Sequence, residues 1–112
     1  MESIRLNKVG RLIQKELSDI FQRESTSLFN GNMISVTVVR MSSDLALARV
    51  YVSIFSPNNK ENAFPLLNEH KKIIRHQLGQ KIRNQMKSIP ELAFFVDDSM
   101  EYANRIEELL KK

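Results

Sequence analysis

Lys72, His76, Gly79, Arg83 and Lys87 follow one another at steps of four, three, four and four. On an α-helix, at about 100° per residue, that spacing gathers them into one narrow sector. Lys71 and Arg75 flank the sector, and no Asp or Glu interrupts the chain between residues 71 and 87. A row of long cations without carboxylates suits one task above others, which is holding a string of phosphates. Gly79, at the centre of the row, adds no side chain and would let a phosphate backbone come close. A secondary basic face, Arg5, Lys8, Arg11 and Lys15, lies along the N-terminal segment, where Glu16 and Asp19 dilute it.

The local charge exceeds that of the whole chain. Residues 60–87 hold seven Lys and Arg against Glu61 and Glu69, a surplus of five, while all 112 residues carry +4. Residues 89–112 are acidic, with six carboxylates against Arg105, Lys111 and Lys112. Ordinary exposed helices mix both signs. The unmixed stretch therefore reads as a nucleic-acid contact rather than as the merely solvated face of an amphipathic helix. An acidic protein partner is the competing reading of the same charge.

Catalysis finds no foothold. Glycine occurs only at positions 10, 31 and 79, so no Gly-rich phosphate loop can be written. His70 and His76 do not share a helical face, which argues against a metal held by the pair. Asp97 and Asp98 read as a helix cap, since adjacent carboxylates do not converge on one bond. With no cysteine there is no disulfide, thiolate zinc site or thiol nucleophile. No cofactor and no metal is expected, and a nuclease is disfavoured for want of a carboxylate cluster. No apolar run approaches the roughly 20 residues that span a bilayer, and no signal-peptide core is seen. The expectation is a cytoplasmic, monomeric, non-enzymatic binding protein made of one domain, residues 1–112.

The elements that must position the basic row follow from periodicity. Leu6, Val9, Ile13, Leu17 and Ile20 mark one face of a helix over residues 3–23, with Gly10 a weak point costing about 1 kcal/mol against Ala. Asn30-Gly31 signals a turn. Residues 33–41 alternate as a strand, with Ile34, Val36 and Val38 on one side and Ser35, Thr37 and Val39 on the other. After the turn cluster Ser42-Ser43-Asp44, Ala48, Val50, Val52 and Ile54 alternate with Arg49, Tyr51, Ser53 and Phe55. The short link makes the two strands antiparallel. A long helical region starts near Asn62, with Pro65 in its first turn and Leu67, Ile74, Leu78 and Ile82 inward. Pro90 closes it. A third strand spans residues 92–96, parallel to the second across the helical crossover. One or both of Phe94 and Phe95 are expected in the core, leaving RNA binding to phosphates and shape rather than base stacking. A last helix over residues 99–110 would turn Tyr102, Ile106, Leu109 and Leu110 inward. The fold class is α+β, a small mixed three-stranded sheet with helices packed on one face.

Three stretches of the chain resemble the ribosome-binding factor A family. One is Met41-Ser42-Ser43-Asp44-Leu45-Ala46-Leu47-Ala48-Arg49-Val50-Tyr51-Val52-Ser53. Another is Ile89-Pro90-Glu91-Leu92-Ala93-Phe94-Phe95-Val96-Asp97-Asp98-Ser99. The third is the N-terminal helix, with Arg5, Val9 and Gln14-Lys15-Glu16-Leu17. The resemblance implies a KH-like fold of the second type and a monomeric assembly factor. Its implied partners are the free small ribosomal subunit and its rRNA, the 5′-terminal helix region among them. The implied role is late subunit maturation and rRNA end processing, with a contribution to growth in the cold. The GxxG loop of typical KH modules is absent. Family members replace it by a kinked helix pair around an Ala-x-Gly junction. Here that junction falls on His70-Lys71-Lys72, which has neither small residue. Either the kink is shallower, or Lys71 and Lys72 themselves face phosphate.

Overall fold

The apolar stripe of the first segment forms α1 (Ile4–Arg23), which buries Ile13, Leu17, Ile20 and Phe21. The computed structural model describes residues 4–55 and 63–97. Within them α1 is followed by β1 (Met33–Met41), β2 (Leu47–Phe55), α2 (Phe64–Glu69), α3 (Lys71–Ile82) and β3 (Glu91–Val96). The sheet order is β1-β2-β3, antiparallel between β1 and β2 and parallel between β2 and β3. This is the mixed three-stranded α+β arrangement expected. The last expected helix, with Asp98 in its cap, and the helical start at Asn62 lie outside the described residues.

The core lies between the helices and one face of the sheet. Ala48, Val50 and Val52 of β2 and Leu92 and Phe94 of β3 point into it and meet Leu67, Ile74, Leu78 and Ile82 from α2 and α3. Each such aliphatic side chain contributes about 1.5–3 kcal/mol on full burial. Phe29, in the loop after α1, is also fully buried and meets Phe21 edge-on at 5.4 Å. The turn that folds it inward uses Asn30 and Gly31, both at positive φ, and the Asn32 side-chain amide donates to the Phe29 carbonyl at 2.7 Å.

Two expectations are corrected, and two that the sequence left open are decided. β1 carries a bulge between Val36 and Val38, so its alternation changes phase and Val39, not Val38, joins the core. The Gln14 amide, on α1, lies 3.4 and 3.3 Å from the Val36 and Thr37 carbonyls at that bulge. Gly10 is not a weak point. A Cβ there would sit 2.8 Å from the Val39 carbonyl oxygen, so glycine is what lets α1 lie on β1. Phe95 is exposed, while Phe94 is core. Finally, the long helical region is two helices broken at His70, without a small residue. His70 takes φ −101° and ψ 16°, a bridge-region conformation with negative φ that needs no glycine. Its N–H donates to the Leu66 carbonyl and its carbonyl accepts from the Ile74 N–H, so the break leaves its own backbone groups satisfied.

Candidate nucleic-acid interface

The break at His70 sets where the cations go. Lys71 and Lys72 occupy the first turn of α3, which has no acidic residue. The positive end of the helix dipole favours an anion there, and two lysines add to the same field. One turn on come Arg75 and His76, then Gly79, and Arg83 caps the C-terminal end. These six residues, Lys71, Lys72, Arg75, His76, Gly79 and Arg83, line one open groove of about 770 Å³, with Gln80, Ile89 and Glu91 completing its wall. Six of the seven residues marked by helical spacing are thus brought together.

Lys87 is not among them. The helix stops at Ile82 and the chain turns through residues 83–85, so the helical period no longer applies four residues past Arg83. Lys87 instead lines a separate hollow of about 430 Å³ with Arg5, Val9, Asp44 and Leu45. Arg5 of the secondary basic face lines the same hollow. Lys8, Arg11 and Lys15 are exposed along α1 and line neither hollow.

The groove residues differ in what they are free to do. Arg75 is a clamp. Its Nε donates to the Pro90 carbonyl at 3.0 Å and its Nη2 to the Ile89 carbonyl at 2.7 Å, and Glu91 lies 3.7 Å away. It fixes the entry to β3 against α3, and its charge is offset by Glu91. Gly79 leaves room for Ile89, whose Cγ1 would lie 3.2 Å from a Cβ at that position. Its smallness serves packing of the groove wall first. Lys71 places Nζ 5.9 Å above the centre of the Phe94 ring. His76 Nε2 is 3.3 Å from the Gln80 amide nitrogen. Lys72 and Arg83 are exposed. With Arg75 beside Glu91, the other cations lining the groove are Lys71, Lys72 and Arg83.

Lys81, part of the local surplus, turns the other way. It donates to Asp19 on α1 at 2.9 Å and lies 3.6 Å from Glu16, and Arg23 also reaches Asp19 at 3.3 Å. The hydrogen bond between them lowers the Asp19 pKa and raises that of Lys81. This charge therefore docks α3 on α1 and adds little to the outward field. Among the described residues no group of His, Asp and Glu could hold a metal ion, and no helix is long and apolar enough to cross a membrane.

A mixed three-stranded sheet backed by helices, with the helical pair broken at His70, defines a KH-like α+β protein. The family model for ribosome-binding factor A matches residues 5–110, and the chain belongs to that family. A ribosome-binding factor A from Cytophaga hutchinsonii is 46% identical over 112 residues, covering 100% of this chain and 84% of the relative. The crystal structure of ribosome-binding factor A from Thermus thermophilus is similar with a TM-score of 0.67 at 21% identity, covering 81% of this chain and 94% of that one. A homology model of the Thermus thermophilus factor, fitted into a cryo-electron-microscopy map of its complex with the 30S subunit, is similar with a TM-score of 0.66 at 24% identity. It covers 83% of this chain and 96% of that one.

Proposed function

We propose that this protein is an assembly factor that binds the free small ribosomal subunit through its rRNA and assists late maturation and rRNA end processing. The observation that carries the reading is the groove along α3, which collects Lys71, Lys72 and Arg83 around one concave, carboxylate-poor wall. Membership of the ribosome-binding factor A family supports it, as does the placement of the Thermus thermophilus factor in a 30S complex. The mechanism is binding rather than bond chemistry. The factor favours one conformation of immature rRNA by the difference between its affinities for the two states, and leaves when maturation removes that difference. Loss of such a factor is felt most in the cold, where misfolded RNA escapes slowly. One domain, in the cytoplasm and acting as a monomer, suffices for this role.

Sedimentation of lysate tests the reading. The protein should travel with free small subunits and not with translating ribosomes. Combined Lys72→Glu and Arg83→Glu should remove it from the subunit peak without lowering its thermal midpoint, because both side chains are exposed. Equal travel with subunits and mature ribosomes, or retention of the double variant, would overturn it.

A further inference from the structure

The sheet face turned away from the helices carries a set of side chains that the groove does not use. Arg40 on β1 stands directly opposite Arg49 on β2, and both are exposed. In the next row on that face, Val38, Tyr51 and Phe95 lie side by side across the three strands. Tyr51 and Phe95 stack, with ring centres 5.3 Å apart and planes 26° from parallel. Phe95 is 41% exposed, and further along the same face the opposed pair Met33 and Phe55 are 58% and 62% exposed. Arg49 and Phe55 are six residue steps apart along β2, a strip of about 20 Å.

Arg49, reinforced by the charge of Arg40 across the strand pair, makes one end of this face positive and suited to an anion. An exposed ring beside an arginine, as Phe95 is here with the half-buried Tyr51 stacked on it, is the combination that receives an unpaired base, because every base has a face to stack and a phosphate to neutralise. The face is polarised as well. The Thr37 hydroxyl donates to the Asp97 carboxylate at 2.6 Å, holding that negative group on the side of the aromatic row away from Arg49. A backbone phosphate is thereby directed to the arginine end.

We propose that this face, which no described helix covers, binds an unpaired stretch of RNA, with a base stacked on Phe95 and Tyr51 and its phosphate at Arg49. It shares no residue with the α3 groove and does not depend on the reading of that groove. Duplex RNA hides its base faces, so the ligand is single-stranded.

Anisotropy of a labelled oligouridine, measured with the full chain, tests this. Phe95→Leu should weaken binding about tenfold, the size of one lost stacking contact, and Phe95→Trp should retain it. Arg49→Gln should weaken binding about threefold and reduce the salt slope by roughly one phosphate's share. The same factors should appear in the Lys72→Glu, Arg83→Glu background, because separated sites act independently. If Phe95→Leu melts early, the exposed Arg49 decides the matter. Oligouridine affinity unchanged in Phe95→Leu and Arg49→Gln overturns the proposal. If those variants keep oligouridine but lose the subunit, the face meets a protein and the RNA assignment is wrong.

Discussion

Replacing Gly10 by Ala sets two physical effects against each other, and the structure decides the sign. Helix propensity favours the change by about 1 kcal/mol. The added Cβ, however, would lie 2.8 Å from the Val39 carbonyl oxygen. That oxygen belongs to a strand residue paired with Val50, so it cannot swing aside like the end of a flexible side chain. Relief requires α1 to lift from β1, loosening Ile13 and Leu17 against the sheet. Because the obstacle is backbone, overpacking here falls at the upper end of the usual range, about 2–3 kcal/mol, which exceeds the propensity gain and leaves a net loss of about 1–2 kcal/mol. In a protein of this size each kcal/mol moves the midpoint by about 4 °C. Urea denaturation and thermal melting, both followed by far-ultraviolet circular dichroism, should therefore show a clear loss. Gly79→Ala is the control. Its Cβ would meet the Ile89 side chain at 3.2 Å, and a side chain can turn, so stability should change little. If Gly10→Ala equals or exceeds the wild type, the close approach of α1 to β1 is not what excludes a side chain there, and the argument fails.

Other outcomes follow from the groove and the turn. Arg75→Gln should lower stability by about 1–2 kcal/mol through loss of the bonds to the Ile89 and Pro90 carbonyls; full stability with lost subunit binding would make Arg75 an RNA contact instead. Three groove cations predict that the logarithm of subunit affinity falls with the logarithm of salt at a slope of about −2 to −3, and a flat dependence would point to an apolar interface. The Asp44 carboxylate accepts from the Ser42 hydroxyl and then from the Ala46 N–H, which lowers its pKa in the folded state. A lowered carboxylate pKa gives stability that is present above the unfolded-state value and lost as pH falls through the folded-state value. The melting difference between wild type and Asp44→Ala should therefore be full near pH 7 and shrink below about pH 4; a constant gap across that range would show that the charge contributes nothing.

Periodicity located most elements because each needs one buried face. The stripe from Ile13 to Ile20, the alternation from Ala48 to Val52 and the row Ile74, Leu78 and Ile82 all point as their spacing requires. What escaped was set by single backbone events that leave no period. The bulge in β1 exchanges Val38 for Val39, two identical side chains that composition cannot tell apart. Lys87 joins the basic row only if the helix continues past Ile82, where neither Gly nor Pro marks the stop. Arg75 counts as one more cation until its two carbonyl partners, 14 and 15 residues away, are known. The exposure of Phe95 depends on which face of β3 meets the helices, and the run Leu92-Ala93-Phe94-Phe95-Val96 is apolar on both.

The parallel pairing of β2 with β3 also has a consequence for how the chain is made. The β1–β2 hairpin closes over a short turn, and α1 precedes it, so a scaffold can form while the rest is still being synthesised. Leu47 must wait for Glu91, its partner 44 positions later. Such long-range closure is the slow part of folding, since its entropy is lost before its contacts are gained. The clamp from Arg75 to Ile89 and Pro90, and the stack of Tyr51 on Phe95, depend on that same strand. A nascent chain that has not yet delivered β3 thus has neither the finished wall of the α3 groove nor the Tyr51–Phe95 stack, so both proposed RNA-binding surfaces arise only at the last stage of folding.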